Sequence, residues 1–376
     1  ALPILKKLHA AGFEAYFVGG SVRDALLDRP IHDVDIATSA YPFEVKQIFK
    51  KTFDIGIEHG TVLVLAERGQ YEVTTFRTES QYTDFRRPDK VEFVSDLKED
   101  LLRRDFTINA FAMTVEGEII DKFDGLTDLK KKVLRAVGKA EERFNEDALR
   151  IMRGMRFAAE LNFEVEQRTF QAMKSHANLL SKISIERIFV ELNKLIVAGH
   201  WRLGLEVLNK SEAYKFLPGL AYIDLDDLTS DFQFKKSEQA WAWLSLQFAE
   251  TFNIKSWKVP NDFVKTVRMI VAAYQESEWN LENIYRYGLE IAQLVEHLKV
   301  GQGQTLDISR AAEIDAQLQI HNKSEILIKG ADLIKEGYAP SPELGELIAD
   351  IENQIVNNKL INQKKEILAY VKKISR

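Results

Sequence analysis

The sequence predicts a mixed α/β head followed by an all-α remainder. Over the first 137 residues, short β-branched and aromatic runs alternate with helical stretches. From Lys139 onward, apolar residues recur at three- and four-residue spacing nearly to the end. Strand signals become scarce there, and Pro218, Pro260, Pro340 and Pro342, with Gly301 and Gly303, separate the helices.

Taken in order, residues 3–11 read as an amphipathic helix ending at Gly12. Ala15–Val18 reads as a strand running into Gly19–Gly20, and Val22–Leu27 as the start of a helix. Val34–Ile36, Thr61–Leu65, Tyr71–Phe76, Val91–Val94 and Ile119–Asp121 have strand composition. Residues 77–90 are polar, hold Pro88 and read as a loop, and Asp105–Thr114 reads as helical. The expected division is a head over 1–137, a helical neck over 138–197, a helical body over 198–300 and a helical tail over 301–376. The five tryptophans all fall in the helical part and are expected to pack helices together.

Bulk properties narrow the function classes. The chain has 376 residues, 45% of them hydrophobic and 29% charged, and no cysteine, which excludes disulfides and thiolate metal sites. No apolar run approaches a membrane span, so a cytoplasmic protein with no membrane partner is expected, and no protein partner is evident. The formal net charge of −6 argues mildly against a nucleic-acid partner. Local clusters decide phosphate contacts, however, and Arg103–Arg104, the Arg150/Arg153/Arg156 series and Lys364, Lys365, Lys372 and Lys373 supply them.

The chemistry is concentrated in Val18-Gly19-Gly20-Ser21-Val22-Arg23-Asp24, followed by Asp33-Val34-Asp35-Ile36. Two glycines after a strand let the backbone approach a ligand closely, and the following helix N-terminus can cradle a triphosphate. Arg23 can add a charge-assisted fork to the phosphate oxygens. Strand alternation is expected to turn Asp33 and Asp35 to one face with Val34 inward. Two adjacent carboxylates call for a hard cation, and Mg²⁺ with oxygen ligands and substrate phosphate suits them. A pair of such ions would activate a 3′-hydroxyl and stabilise a pyrophosphate leaving group.

In this order, the two segments resemble the nucleotidyltransferase superfamily that includes DNA polymerase beta. The resemblance implies a third carboxylate on a neighbouring strand; Glu72 is the candidate, a structural role being the alternative. Four further segments resemble motifs of the CCA-adding enzymes and related bacterial poly(A) polymerases. They are Arg103-Arg104-Asp105-Phe106-Thr107-Ile108-Asn109-Ala110, then Asp121-Lys122-Phe123-Asp124-Gly125, then Glu146-Asp147-Ala148-Leu149-Arg150 with Arg153 and Arg156, and then Ser184-Ile185-Glu186-Arg187 with Glu191-Leu192. All stand in family order across residues 18–192, about half the chain. The fold implied is an α+β nucleotidyltransferase head of the DNA polymerase beta type, then all-α neck, body and tail holding tRNA.

Base choice follows from hydrogen-bond chemistry. On one helix, Asp147 and Arg150 would lie on neighbouring rows, their heads able to meet one planar ligand. An ionised Asp only accepts and an Arg only donates. Cytosine and adenine each show an amino donor beside a ring-nitrogen acceptor; uracil and guanine show the reverse and would leave buried groups unpaired. Ion pairing on an exposed helix is the alternative. Arg153 and Arg156 are candidates for phosphate contacts, and Arg104 and Asp105 for triphosphate and ribose, with Asp105 selecting the 2′-hydroxyl. Asp84-Phe85-Arg86-Arg87-Pro88-Asp89 resembles the flexible loop needed for the switch from C to A, an ordinary charged loop being the alternative. No phosphohydrolase signature, P-loop or zinc motif is visible.

The expected activity is addition of C, C and A to the 3′ end of tRNA from CTP and ATP. A poly(A) or A-adding enzyme of the same family, a small-molecule nucleotidyltransferase and a non-catalytic tRNA-binding protein are the competitors.

Overall fold

The computed structural model describes residues 1–31, 33–67, 69–80, 90–304 and 309–374. They form two compact units, Ala1–Ile223 and Asp224–Arg376. The expected boundary at 137/138 falls inside the first, and that at 300/301 inside the second. The second unit's apolar cluster draws on Ile284 and Ala292 as well as Ile314, Ile351 and Val371, so body and tail share a core.

The first unit opens with α1 (Leu2–Ala10), β1 (Ala15–Val18), α2 (Gly20–Leu26), β2 (Asp35–Thr38) and α3 (Pro42–Ile48). Then come β3 (Thr52–Gly56), β4 (Thr61–Ala66), β5 (Gly69–Thr75), β6 (Arg77–Ser80), β7 (Lys90–Phe93) and α4 (Leu97–Leu102), followed by β8 (Phe111–Met113), β9 (Ile119–Asp121) and α5 (Gly125–Lys131). Seven strands form one sheet in the order β3-β4-β5-β2-β1-β8-β9, with only β2 and β5 parallel. Val18, Ala37, Ala110 and Ala112 join Phe76, Leu97 and Leu101 in a buried cluster. This core fixes the register that aligns Asp35 with Val18 on one side and Glu72 on the other.

The helical part of this unit holds β10 (Val133–Leu134), α6 (Ala140–Glu146), α7 (Leu149–Leu161), β11 (Glu164–Val165), α8 (Gln167–His176), α9 (Ile185–Ile196) and α10 (Trp201–Lys210). Gly154 lets α7 lie against the second motif: a Cβ there would sit 2.2 Å from Met173 Cε and 2.9 Å from Phe106 Cζ. The second unit is helical, with α11 (Ser237–Gln247), α12 (Asn261–Tyr274), α13 (Leu281–Tyr287), α14 (Leu289–Gly301), α15 (Arg310–Asp315), α16 (Gly330–Lys335), α17 (Pro342–Val356) and α18 (Lys364–Ile374). Trp201, Trp241, Trp243 and Trp257 are fully buried, in the packing role expected of them. Among the described residues, no helix is long and apolar enough to cross a membrane.

Several local expectations need correction. Asp105–Thr114 is not a helix but a 3₁₀ turn at Thr107–Asn109 followed by β8. The Asp105 carboxylate takes the Phe106 amide at 2.8 Å, a local bond that competes with helix formation, and β8 pairs with β1. The second strand begins at Asp35 rather than Val34, so Asp33 precedes it. Part of the expected loop, Arg77–Ser80, pairs as a strand with Lys90–Phe93. Elements α3, β3 and α4 went unpredicted.

Candidate active site

The turn after β1 is held by geometry that only glycine tolerates. Gly19 has φ 73°, and a Cβ would lie 2.8 Å from Nη1 of Arg104. The Ser21 hydroxyl donates to the Val18 carbonyl at 3.0 Å, closing the turn into α2. Together these bring the second motif's arginine against the first motif's backbone.

Beside this turn lie three carboxylates. Asp35 and Glu72 are direct neighbours across parallel strands, and Asp33 precedes Asp35 on the same chain. Desolvation pushes the Asp35 pKa up; Asp33 adds to the rise and Arg104 opposes it. Glu72 is raised by desolvation too, then by the charges of Asp35 and Asp33. Among the described residues, none of the three receives a hydrogen bond or ion pair. Nor do three acidic or imidazole groups converge there tightly enough to ring a cation unaided. The donor set still fits a hard ion: Asp33 and Asp35 supply unpaired oxygens, and a cation would relieve their repulsion.

A cleft of 490 Å³ opens from this turn towards α7. Its lining includes Gly19, Gly20, Arg23, Asp35, Arg104, Asp105, Asp147, Arg150 and Arg153, most of the residues expected from sequence. It also includes Arg103, Asn109, Leu149, Phe157 and Arg187, which the sequence reading did not single out as site residues. Six arginines and three aspartates face one space, an excess of positive charge in a chain whose formal net charge is −6. Such focusing suits a polyphosphate.

The arginines are aimed by buried acids. Asp100, fully buried, accepts from Arg103 at 2.8 Å and from Arg104 at 3.2 Å. Burial works against its charge, but the two guanidinium groups outweigh it and lower its pKa. Asp105 follows the same logic: burial raises its pKa, yet Arg153 and the bond from Asn109 bring it down to about 2. Arg23 is braced by Asp24 at 2.9 Å and by the Asn109 amide oxygen at 2.5 Å, so it is less free to fork onto phosphate than its motif implied.

Asp147 and Arg150, expected to select the base, depart from the expected single helix. Asp147 ends α6, and its Oδ1 accepts the Leu149 amide at 3.0 Å, closing the turn between α6 and α7. Asp147 and Arg150 thus converge across a helix–helix break. Arg187, on α9, donates to Asp147 Oδ2 at 2.8 Å. Arg150 donates to Glu146 at 2.6 Å and to the carbonyls of Arg143 and Arg103 at 3.1 and 2.8 Å. Arg156 is not in the cleft: its Nε donates to Glu191 at 2.6 Å, its Nη1 to Glu160 at 2.7 Å, and its guanidinium lies 4.1 Å from the Phe157 ring centre. The expected phosphate contact from Arg156 is replaced by a structural one. Asp84, Arg86, Arg87 and Asp89 lie outside the described residues.

Comparison with known proteins agrees with this geometry. Residues 15–135 match the poly A polymerase head domain, 162–223 a probable RNA and SrmB-binding site of polymerase A, and 232–371 a putative second domain of tRNA nucleotidyltransferase. A CCA-adding enzyme of Lactococcus lactis subsp. cremoris is 57% identical, the match covering 100% of this chain and 96% of the relative. One of Streptococcus thermophilus is 54% identical over 99% and 96%. The chain belongs to the CCA-adding enzyme family. Among solved structures, the CTP complex of the Bacillus stearothermophilus CCA-adding enzyme superposes with a TM-score of 0.88 at 37% identity, covering 100% of this chain and 96% of that one. The Thermotoga maritima CCA-adding enzyme complexed with tRNA shares the fold, with a TM-score of 0.64 at 20% identity. Family and fold thus stand as the motifs implied.

Proposed function

We propose that this CCA-adding enzyme extends the 3′ end of tRNA from CTP and ATP in the cleft between the β1 turn and α7, with Mg²⁺ at Asp33 and Asp35. The observation that carries the site assignment is the convergence of Asp35, Arg104, Asp105, Asp147, Arg150 and Arg153, from three separate motifs, on one cleft. Mg²⁺ held by the two aspartates would supply Lewis-acid stabilisation of charge on the phosphates. Glu72 adds negative potential next to Asp35, its neighbour across the parallel strands.

The side chains divide the substrate between them. Gly19 and Gly20 leave room for the triphosphate against the backbone, and Arg104, fixed by Asp100, faces it. Asp105 is positioned to accept the ribose 2′-hydroxyl. Asp147 accepts from the exocyclic amine of cytosine or adenine, while Arg150 donates to the ring nitrogen beside it. Arg187 orients the Asp147 carboxylate through its ion pair at 2.8 Å. The loop at 84–89 serves the switch from C to A, and its deletion is expected to leave CC addition and abolish A addition. A protein that acts on tRNA is placed in the cytoplasm.

The test is a gel assay on tRNA lacking its last three nucleotides, with Mg²⁺ and CTP, ATP or both. Two additions with CTP alone and three, then a stop, with both are expected. Long or single-A products from ATP alone would move this chain to the A-adding branch; no extension with tRNA still bound would make it a binding protein.

A further inference from the structure

Asp105 has more hydrogen-bond donors than a free acceptor would. A carboxylate offers about four acceptor positions. Here Oδ1 takes the Phe106 amide at 2.8 Å and Nδ2 of Asn109 at 3.0 Å. Oδ2 takes Nε and Nη2 of Arg153 at 2.8 and 2.7 Å. The first pair is fixed: one donor is backbone, and Asn109 is pinned through its oxygen by Arg23. The second pair belongs to one side chain, of which 34% is exposed. Arg153 is the occupant that can leave.

Its destination is already in place. Oε2 of Glu191 accepts from Arg156, which Glu160 and the Phe157 face hold still. Oε1 lies 3.9 Å from Nη1 of Arg153, close enough to attract and too far to bond. The Arg153 guanidinium sits 5.2 Å from the centre of the same Phe157 ring, a surface that tolerates a cation in more than one position.

We infer that Arg153 leaves Asp105 when a ribonucleotide binds and is received by Glu191, which makes Glu191 a positioning residue for ribose selection. The inference rests on the reading of Asp105 as acceptor of the 2′-hydroxyl. Without the shift, the hydroxyl meets a saturated carboxylate. With it, the hydroxyl donates to Oδ2, and Arg153 keeps an ionic partner, so no buried charge is left alone. A deoxynucleotide has no hydroxyl to claim that oxygen and binds with Arg153 in place.

The test is kcat/KM for ATP and dATP on tRNA ending in CC, in the intact enzyme, Glu191→Gln and Asp105→Ala. Glutamine at 191 can still accept from Arg156 but no longer attracts Arg153. Glu191→Gln is expected to lower kcat/KM about tenfold for ATP, mainly through KM, and less than about twofold for dATP. Equal losses on both nucleotides would reduce Glu191 to a structural residue and overturn the inference. So would an unchanged ATP/dATP ratio in Glu191→Gln while Asp105→Ala loses its preference. An unchanged preference in Asp105→Ala would overturn the ribose reading itself, and the inference with it. Arg153→Gln is a second route that does not depend on Glu191→Gln folding. It frees Oδ2 permanently and is expected to keep the preference for ATP; its loss there would also overturn the inference.

Discussion

Two sets of acids lie within one cleft region, and they are held in opposite ways. Asp35 and Glu72 have raised pKa values, first from desolvation; Arg104 opposes the rise at Asp35, Asp33 adds to both, and Asp35 adds to that of Glu72. Asp100 and Asp105 are buried where Asp35 and Glu72 reach the surface, yet their pKa values are lowered, because Arg103, Arg104 and Arg153 outweigh the cost of burial. The second set is neutralised from within the fold by its arginine partners. The first set is left with excess negative charge that only something from solution can balance. Charge repulsion left standing beside a paired network is what the proposed cation would relieve.

Breaking the first set should cost catalysis and not stability. Asp35→Asn is expected to reduce nucleotide addition at least about a thousandfold, as loss of an ion-binding oxygen at the reacting phosphate implies. The same change removes repulsion, so the melting temperature should stay level or rise. A fall in melting temperature with residual activity would mean that Asp35 is scaffold after all. Breaking the second set should cost stability, in addition to any effect of Asp105 on ribose choice. Asp105→Ala leaves Arg153 and Asn109 without their acceptor and should destabilise the protein by about 2–3 kcal/mol in denaturant unfolding, below the range for a fully buried pair because a third of Arg153 can be resolvated.

The contrast also has a pH signature. Asp105 sits at about 2 in the folded protein against an ordinary value near 3.8. A depressed pKa contributes stability that is fully present above the unfolded value and lost as pH falls through the folded one. The contribution is roughly 2 kcal/mol and should disappear between about pH 4 and pH 2. Asp35 and Glu72 run the other way: their raised values mean that stability is gained as they protonate on acidification. The stability difference between the intact protein and Asp105→Asn should therefore be constant above about pH 4 and shrink below it. A difference still changing between pH 5 and pH 7 would assign the titration elsewhere.

Most of this site could be read from the sequence, because its parts lie in short contiguous motifs. Gly19, Gly20, Asp35, Arg104 and Asp105 each reached the cleft by the local geometry their motif implies. What was not legible depends on partners far along the chain. Arg156 continues the spacing of Arg150 and Arg153, but Glu191, 35 residues away, turns it inward. Arg187 meets Asp147 across 40 residues, which no local spacing encodes. The helix break at Asp147 is hidden because periodicity continues through it, while the side chain bonds the backbone two residues on instead of presenting a helix face. Element α3 and strand β3 are short, which hides them from periodicity, although Pro42 in the first turn and Glu44 accepting the Tyr41 amide at 2.7 Å mark the start of α3 locally.

A smaller expected effect comes from Mg²⁺ without nucleotide. A cation at Asp33 and Asp35 binds the folded state alone, so it should raise the melting temperature in proportion to its occupancy, by the equivalent of about 2.7 kcal/mol at a hundredfold excess over Kd. Asp35→Asn should lose most of that shift, whereas Asp105→Asn should keep it. An equal shift in all three proteins would place the ion outside the acidic set.

The smallest effect is expected at a bond of nearly the same length as the Asp105–Arg153 pair. Lys139 Nζ lies 2.9 Å from Glu142 Oε1, against 2.7 Å for Arg153 to Asp105, but its side chains are 77% and 54% exposed. Water solvates both partners whether or not they meet, and holding two long side chains together costs entropy that the attraction barely offsets. Lys139→Ala should leave both the melting temperature and nucleotide addition unchanged within error. A clear loss of stability there would mean that separation alone governs these pairs. The unchanged curve expected instead assigns the difference to desolvation, which makes buried Asp105 depend on Arg153 as exposed Glu142 does not depend on Lys139.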